Sequence, residues 1–133
     1  MNKFISKKNV FNRLMEDYRN HGKLIVAVDF DSTIYPYHVD DDCSYVQDLV
    51  RRLKPYSHII IFTASPESRF DFITEYCKDN DIPFDYVNEN VDAMKHNEGR
   101  KIYYNIILDD RGGLHECCGL LEAFLKEVEE ENN

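Results

Sequence analysis

Residues 24–33 read Leu-Ile-Val-Ala-Val-Asp-Phe-Asp-Ser-Thr, and this stretch decides the fold class. Its first five residues are all apolar and mostly β-branched, which is typical of a strand covered on both faces in a parallel sheet. Two acidic residues, Asp29 and Asp31, follow directly. Carboxylates beside a buried strand are costly unless a cation or a proton compensates them, so they mark the first candidate site.

Strand and helix patterns alternate along the rest of the chain. Apolar residues at helical spacing predict an N-terminal helix within residues 1–22 and later helices at 45–53, 66–77 and 114–128. Short apolar runs predict further strands at 59–62, 84–87 and 106–108. Ser65 is expected to cap the third helix, with Pro66 at its first position. The alternation predicts an α/β fold: a doubly wound, Rossmann-like parallel sheet with helices on both faces.

Length and composition limit the kind of protein. The 133 residues are 43 % apolar and contain no Pro-, Gly- or Ser-rich linker, so we predict a single domain over residues 1–133, with an acidic C-terminal end at 127–133. We find neither an apolar run of membrane-spanning length nor a signal peptide, which favours a cytoplasmic protein without a membrane partner. The net charge of −9 disfavours long nucleic acid as a partner.

The carboxyl ends of two other predicted strands are also polar. The second strand runs into Thr63-Ala64-Ser65, and the last runs into Asp109-Asp110-Arg111. Ligands of open parallel sheets bind at the carboxyl ends of the strands, so we expect up to four carboxylates and two hydroxyls to meet at one edge. Each residue alone is also an ordinary helix cap or turn former, but together they indicate a site.

The chemistry that these side chains favour is phosphoryl transfer with Mg²⁺. Carboxylate oxygens suit this hard cation, which keeps several waters and can bridge to a phosphate monoester. One carboxylate can then attack phosphorus, while a second acid two residues later protonates the leaving oxygen and afterwards activates water. A hydroxyl and an ammonium group can hold the remaining phosphoryl oxygens.

Three segments resemble motifs of the haloacid dehalogenase (HAD) superfamily. Residues 26–33, Val-Ala-Val-Asp-Phe-Asp-Ser-Thr, resemble its first motif, a hydrophobic strand followed by DxDxT. Ile60-Ile61-Phe62-Thr63 resembles the second motif and Ile107-Leu108-Asp109-Asp110 the fourth, so the resemblance covers about residues 23 to 125. Ser32 stands where glycine is commonest in that family.

The resemblance implies hydrolysis of a phosphate monoester with Mg²⁺ and an aspartyl-phosphate intermediate. Asp29 would be the nucleophile and a metal ligand, and Asp31 the general acid/base with its backbone carbonyl on the metal. Asp109 would be a metal ligand, supported by Asp110 directly or through water. Dehalogenating members lack the second acid, so Asp31 favours a phosphatase. The implied substrate-binding residues are Thr63, Ala64 and Thr33, the last of which would also stabilise the loop after the strand.

The lysine of the family's third motif has two candidates. Lys101 precedes Asp109 by eight residues, in a stretch that resembles small bacterial and phage members of the superfamily, and is favoured as the catalytic lysine. A strand over all of 102–108 would place Lys101 about 23 Å from the site. Lys101 can therefore act only if residues 101–104 form a turn and the strand begins near Asn105; otherwise Lys95 is the candidate.

The resemblance is to members without a cap domain, because residues 34–42 and 89–100 are too short to hold one. An open site suits a large phosphorylated substrate, or a small one closed in by a homo-oligomer or another partner. Nucleotides, 3′-phosphorylated nucleic-acid ends and sugar phosphates all stay open as substrates. Residues 35–38 are expected to form a flap over the site or to pack on their own domain. Arg69 and Arg111 are candidates for phosphate contacts or for surface ion pairs.

Two other functions also stay open. A receiver-like phospho-aspartate signalling domain shares the doubly wound sheet, the acidic pair and a phosphorylatable aspartate. Its order differs, because there the acidic pair follows the first strand and the phosphorylated residue lies in mid-chain. A catalytically weak, metal-binding regulatory protein would keep the same carboxylates.

Overall fold

The computed structural model describes residues 2–132 of the chain. Within them, four parallel strands form one sheet: β1 (Leu24–Asp29), β2 (Ser57–Phe62), β3 (Tyr86–Val87) and β4 (Ile106–Leu108). The order across the sheet is β3-β2-β1-β4. The chain therefore runs outward from β1 to β3 and then crosses back to the other side of β1. The predicted α/β class with a parallel, Rossmann-like sheet is confirmed.

The helices alternate with the strands as predicted. They are α1 (Lys7–His21), α2 (Ser44–Leu53), α3 (Phe70–Asp79) and α4 (Leu114–Glu131), with short 3₁₀ helices at Lys3–Ile5, Lys54–Tyr56, Glu67–Arg69 and Asp92–Met94. Helix α1 ends at Gly22, whose φ of 80° is a left-handed conformation that costs glycine little. Among the described residues, no helix is both long and apolar enough to cross a bilayer.

The main hydrophobic core lies on one face of the sheet. Buried residues of α1, α2, α3 and α4 join a single cluster with alternate residues of the strands. Those strand residues are Leu24, Val26, Val28, Ile59, Ile61, Ile106 and Leu108. Because burial of each such side chain contributes about 1.5–3 kcal/mol, this face supplies most of the stability that holds the strand ends in place.

The opposite face is covered by the segment between β3 and β4. Its buried cluster consists of Ile25, Ile60 and Val91. The partly buried side chains packed against it are Phe62, Tyr86, Met94, Ile102 and Tyr104. On this face the predicted helical covering is limited to the short 3₁₀ helix Asp92–Met94, since no α-helix within residues 2–132 joins this cluster. The reason is local: residues 95–101 read Lys-His-Asn-Glu-Gly-Arg-Lys, which has no apolar stripe that a helix could bury.

Two local predictions are wrong. Ser65 does not cap a helix; its Oγ accepts a hydrogen bond of 2.8 Å from Arg69, and α3 begins only at Phe70. Strand β3 is shorter than the predicted 84–87, because the carboxylate of Asp85 takes part in the pairing. Its Oδ2 accepts a hydrogen bond of 2.8 Å from the backbone N–H of Ile59 in place of a backbone carbonyl.

Asn105 anchors the start of β4. Its Oδ1 accepts a hydrogen bond of 2.7 Å from the backbone N–H of Ile25, and its own backbone N–H donates to the Ile25 carbonyl at 2.8 Å. The side-chain amide also donates to Asp17 at 3.0 Å, and Arg13 donates to the Asn105 carbonyl at 2.8 Å. This buried residue thus joins β4 to β1 and α1, and it sets where the residues after β4 emerge.

Replacing Asn105 by alanine is expected to lower the free energy of unfolding by about 2–3 kcal/mol, because the Ile25 N–H would be left buried without an acceptor. Urea unfolding followed by circular dichroism measures the change. Asn20→Ala, at an exposed position of α1, is the control and should change stability by no more than about 0.5 kcal/mol. Equal stability of the two variants would show that Asn105 is not an anchor.

Candidate functional site

The candidate site lies where β1 and β4 end side by side. The connections from β1 run to β2 in one direction, whereas β4 lies on the opposite side of β1, and ligands of such sheets bind in the crevice at this reversal. Asp29 ends β1, and Asp109 and Asp110 follow β4. Each of the three offers one carboxylate oxygen, and these oxygens all lie within 4.8 Å of one another. The spacing is suited to ligands that share one cation.

A tight turn after β1 builds one wall of the site. The carbonyl of Phe30 accepts hydrogen bonds from the backbone N–H groups of Thr33, Ile34 and Tyr35 at 3.3, 3.0 and 2.9 Å. Ser32 sits in the turn with φ at 63°, in the left-handed region. That conformation favours glycine, so a non-glycine residue is tolerated here at some cost in strain.

Thr33 links the ends of the two strands. Its side chain is 1 % exposed, and its Oγ1 lies 3.1 Å from Asp29 Oδ2 and 3.2 Å from Asp110 Oδ1. The same oxygen accepts a hydrogen bond of 3.0 Å from the backbone N–H of Asp110. The predicted role of Thr33 in stabilising the loop thus has a direct basis, since one hydroxyl joins the turn after β1 to the turn after β4.

In the part of the chain that the structure describes, no base balances the charge of the three carboxylates. Within residues 2–132, no lysine, arginine or histidine makes an ion pair with Asp29, Asp109 or Asp110. Burial raises the pKa of Asp29 from 3.8 to about 7, and a hydrogen bond with Asp110 and the charge of Asp109 act in the same direction. Without a cation, Asp29 therefore keeps its proton up to a pH well above the one at which a carboxyl group usually loses it.

Asp31 lies outside this group of carboxylates. Its Oδ2 and Oδ1 accept hydrogen bonds of 2.7 and 2.8 Å from the two terminal nitrogens of Arg69. The same guanidinium donates to Ser65 Oγ at 2.8 Å. Of the two alternatives for Arg69, the structure therefore has an ion pair, and its partner is the residue predicted as general acid/base.

Aromatic rings surround the guanidinium of Arg69. Its central carbon lies 5.5, 5.9 and 5.5 Å from the ring centroids of Phe30, Tyr35 and Phe72. Tyr35 also stacks on Phe30, with centroids 5.3 Å apart, so it packs on its own domain and is no part of a flap. Tyr37, two residues later, is 60 % exposed.

Thr63 is fixed through its backbone. Asn88, which follows β3 with φ at 54°, accepts a hydrogen bond of 2.9 Å from the Thr63 N–H and donates one of 2.8 Å to the Thr63 carbonyl. The Thr63 hydroxyl accepts from the Ser65 N–H at 3.0 Å. Sequence reasoning missed Asn88, although an asparagine directly after a strand signals a left-handed turn.

The structure meets part of the condition for Lys101, since the last strand begins close to Asn105 but residues 101–104 do not form a turn. Strand β4 begins at Ile106, and residues 101–105 are irregular. The Lys101 ammonium lies 5.7 Å from the ring centroid of Tyr104, whose ring meets that of Phe62 edge-on at 5.6 Å. Phe62 is the Cα partner of Asp29 in the pairing of β1 with β2. Lys101 thus contacts a ring that packs on the last residue of β2, which is paired with the end of β1.

Lys95 has other partners. Its ammonium lies 3.8 Å from Glu89 and 3.6 Å from Asp92, and 4.5 Å from the ring centroid of Tyr86 on β3. These contacts belong to the edge of the sheet beyond β2. Of the two lysines, Lys101 therefore has its contacts nearer to β1 in the order of the sheet.

Comparison with known proteins supports the fold. No family model matches the chain, and no curated protein matches it. A solved structure from Bacteroides thetaiotaomicron, described as a conserved protein, is similar with a TM-score of 0.59. It is 18 % identical in sequence, and the alignment covers 82 % of this chain and 92 % of that one. At this identity the likeness concerns the fold alone.

The metal-free protein is expected to lose stability as pH rises from about 4 to 7. Over that range the folded state keeps a proton on Asp29 that the unfolded chain, with a pKa near 3.8, has lost. Asp29→Asn removes this dependence and should be about 1–2 kcal/mol more stable than the wild type at pH 8, a value reduced for solvent screening.

Thermal unfolding in chelator at pH 4, 6 and 8 measures this difference. Asp79→Asn, at an exposed position of α3, is the control and should follow the wild type within about 0.5 kcal/mol at every pH. A constant difference between wild type and Asp29→Asn across this range would contradict the raised pKa of Asp29.

Thr33→Val is expected to lower the free energy of unfolding by about 1–3 kcal/mol, because the Asp110 N–H loses its acceptor while side-chain volume is kept. Thr33→Ser keeps the hydroxyl and should cost less. Denaturant unfolding of the pair checks this, and a serine variant as unstable as the valine variant would mean that the hydroxyl link contributes little.

Proposed function

We propose that this chain is a phosphatase of HAD type that uses Mg²⁺ to hydrolyse a phosphate monoester. The observation that carries the proposal is the meeting of Asp29, Asp109 and Asp110 at the reversal point of the sheet, with their oxygens within 4.8 Å and no basic partner among the described residues. Carboxylates arranged in this way are stable at neutral pH when a cation joins them.

The donor set fits Mg²⁺. Carboxylate oxygens are the ligands this ion prefers, and it needs only a few of them because it keeps several waters. The half-buried Asp29 and Asp109 and the exposed Asp110 leave one side open to water and substrate. When bound, the ion would offset the charge of the carboxylates and of the phosphoryl group.

Asp29 and Asp31 carry the two chemical steps. A carboxylate oxygen of Asp29 attacks phosphorus, and the bond between phosphorus and the ester oxygen breaks while Asp31 gives that oxygen a proton. The products are an alcohol and a phosphorylated Asp29. Asp31 then takes a proton from a water molecule that attacks phosphorus, which releases inorganic phosphate and restores Asp29.

The transferred phosphoryl group needs donors on its other oxygens. The Thr63 hydroxyl, the backbone around Ala64 and the Lys101 ammonium are the candidates, and Asn88 supports the conformation of Thr63. The contacts from Lys101 through Tyr104 to Phe62 favour Lys101 over Lys95 in this role.

The strand order bears on the signalling alternative. Receiver domains have the flavodoxin-like order 2-1-3-4-5, in which the first strand lies between the second and the third. Here the third strand lies outside the second, and β1 lies between β2 and β4. This order disfavours a receiver. A regulatory protein that binds metal without turnover remains the second candidate, since it would need the same three carboxylates.

A test of the proposal is phosphate release from a panel of monoesters, with and without Mg²⁺. The panel holds 5′- and 3′-nucleotides, a 3′-phosphorylated oligonucleotide, sugar phosphates and an aryl phosphate. We expect turnover that a chelator abolishes and that Asp29→Asn lowers by at least about 10³-fold, as loss of a nucleophile does. Asp31→Asn should slow the reaction, because it removes the acid/base group, by about 10²–10⁴-fold.

Asp79→Asn serves as the control and should keep the wild-type rate. Turnover that persists in chelator, or in Asp29→Asn, would refute the mechanism. If no ester is hydrolysed while Mg²⁺ still raises the melting temperature through Asp29, the regulatory alternative is favoured.

A further inference from the structure

Arg69 occupies both side-chain oxygens of Asp31, the residue that the proposed function assigns to the leaving group. The two contacts, at 2.7 and 2.8 Å, join the two carboxylate oxygens of Asp31 to the two terminal nitrogens of Arg69. To act at the ester oxygen, Asp31 must turn at least one oxygen toward the substrate. Substrate therefore has to change the Arg69–Asp31 pair before Asp31 can act.

The position of Arg69 assigns it to the leaving-group side of the site. Among the ion pairs of the described residues, Arg69 pairs with Asp31 and makes no pair with Asp29, Asp109 or Asp110. Asp31 acts on the ester oxygen, which joins phosphorus to the alcohol portion of the substrate. A cation that touches Asp31 therefore faces the alcohol portion, whereas the three clustered carboxylates face the phosphoryl end.

The guanidinium is held in a form ready to bind an anion. Ser65 fixes one nitrogen at 2.8 Å, and the rings of Phe30, Tyr35 and Phe72 surround the central carbon within 6 Å. An arginine restrained in this way keeps its planar fork, which matches a carboxylate or a phosphate through two parallel hydrogen bonds. The carboxylate of Asp31 accepts these two hydrogen bonds as a substrate anion would.

We propose that Arg69 binds a second anionic group in the alcohol portion of the substrate and releases Asp31 as it does so. The site then selects phosphate monoesters that carry a further carboxylate or phosphate over those whose alcohol portion is neutral. This inference rests on the proposed function, and it names both the substrate class and the residue that selects it.

Two matched pairs of esters test the selection. Glycerol 3-phosphate and 3-phosphoglycerate differ by one carboxylate, and adenosine 3′-phosphate and adenosine 3′,5′-bisphosphate differ by one phosphate. We expect the wild type to prefer the member with the second anionic group in at least one pair by about 10- to 100-fold in kcat/KM, which is the usual value of a charge-assisted hydrogen-bonded contact.

Arg69→Gln should slow hydrolysis of one member of the preferred pair without slowing hydrolysis of the other. It removes the anion site, so kcat/KM for the ester with the second anionic group should fall by about 10- to 100-fold. It also frees Asp31, so kcat for the neutral-alcohol ester should stay equal or rise. Loss of packing alone would lower both rates by a common factor. Arg52→Gln, which removes an exposed pair with Glu122 at 2.8 Å, is the control.

The inference is wrong if the wild type shows no preference in either pair, if Arg69→Gln keeps the preference, or if the variant lowers both members equally. Binding provides a readout that does not need turnover. Titration calorimetry of the Asp29→Asn protein with Mg²⁺ should give binding about tenfold tighter for the ester with the second anionic group, and Arg69→Gln in that background should abolish the difference. Equal binding of both esters overturns the inference.

The turnover and binding measurements together distinguish failure of the phosphatase proposal from failure of the proposed role of Arg69. If the wild type hydrolyses no ester in either pair or in the wider panel, the phosphatase proposal fails, and the calorimetric comparison still decides whether Arg69 selects a second anion.

Discussion

Negative charge at the end of β1, which has no basic partner among residues 2–132, is the constraint on which the rest of the site depends. Strand β1 is paired on both sides and covered on both faces, so Asp29 is its first residue to reach solvent. The pairing of β4 with β1 fixes Asp109 and Asp110 beside it. Repulsion among three such groups would separate them on a flexible loop. Here the backbone pairing and the core on the helical face hold them together, and the Thr33 hydroxyl ties the two turns.

Much of the fold could be predicted from the sequence, because the strands of a buried parallel sheet are continuous apolar runs. Residues 24–28, 59–62 and 106–108 are of this kind, and each is followed by polar side chains at the same edge. The missing layer of α-helices could not be foreseen from topology alone. A crossover from β3 to β4 is needed, but residues 88–105 have too few apolar side chains at helical spacing to bury a helix there.

The carboxylates of the site could be predicted for the same reason, since topology brings strand ends together whatever the loops do. The partner of Asp31 could not, because Arg69 lies 38 residues away and the pair depends on how two loops meet. Ser65 shows the same limit. Its position before a helix suggests a cap, but its hydroxyl bonds to the Arg69 side chain instead, and a 3₁₀ turn precedes the helix. Helix and capping propensities describe how a residue interacts with its neighbours in sequence. They carry no information on partners that are distant in sequence.

Because the second face of the sheet has an irregular covering, the two faces differ in local stability. The helical face shares one large core, whereas the segment over Ile25 and Ile60 contributes Val91 as its one fully buried apolar side chain within the described residues. Segments with few buried contacts open at low free energy, before the protein unfolds as a whole. Amide hydrogens of residues 91–104 will therefore exchange with solvent sooner than those of β1. Lys101 lies on this segment, so the lysine proposed for the site can fluctuate while the three carboxylates stay rigid.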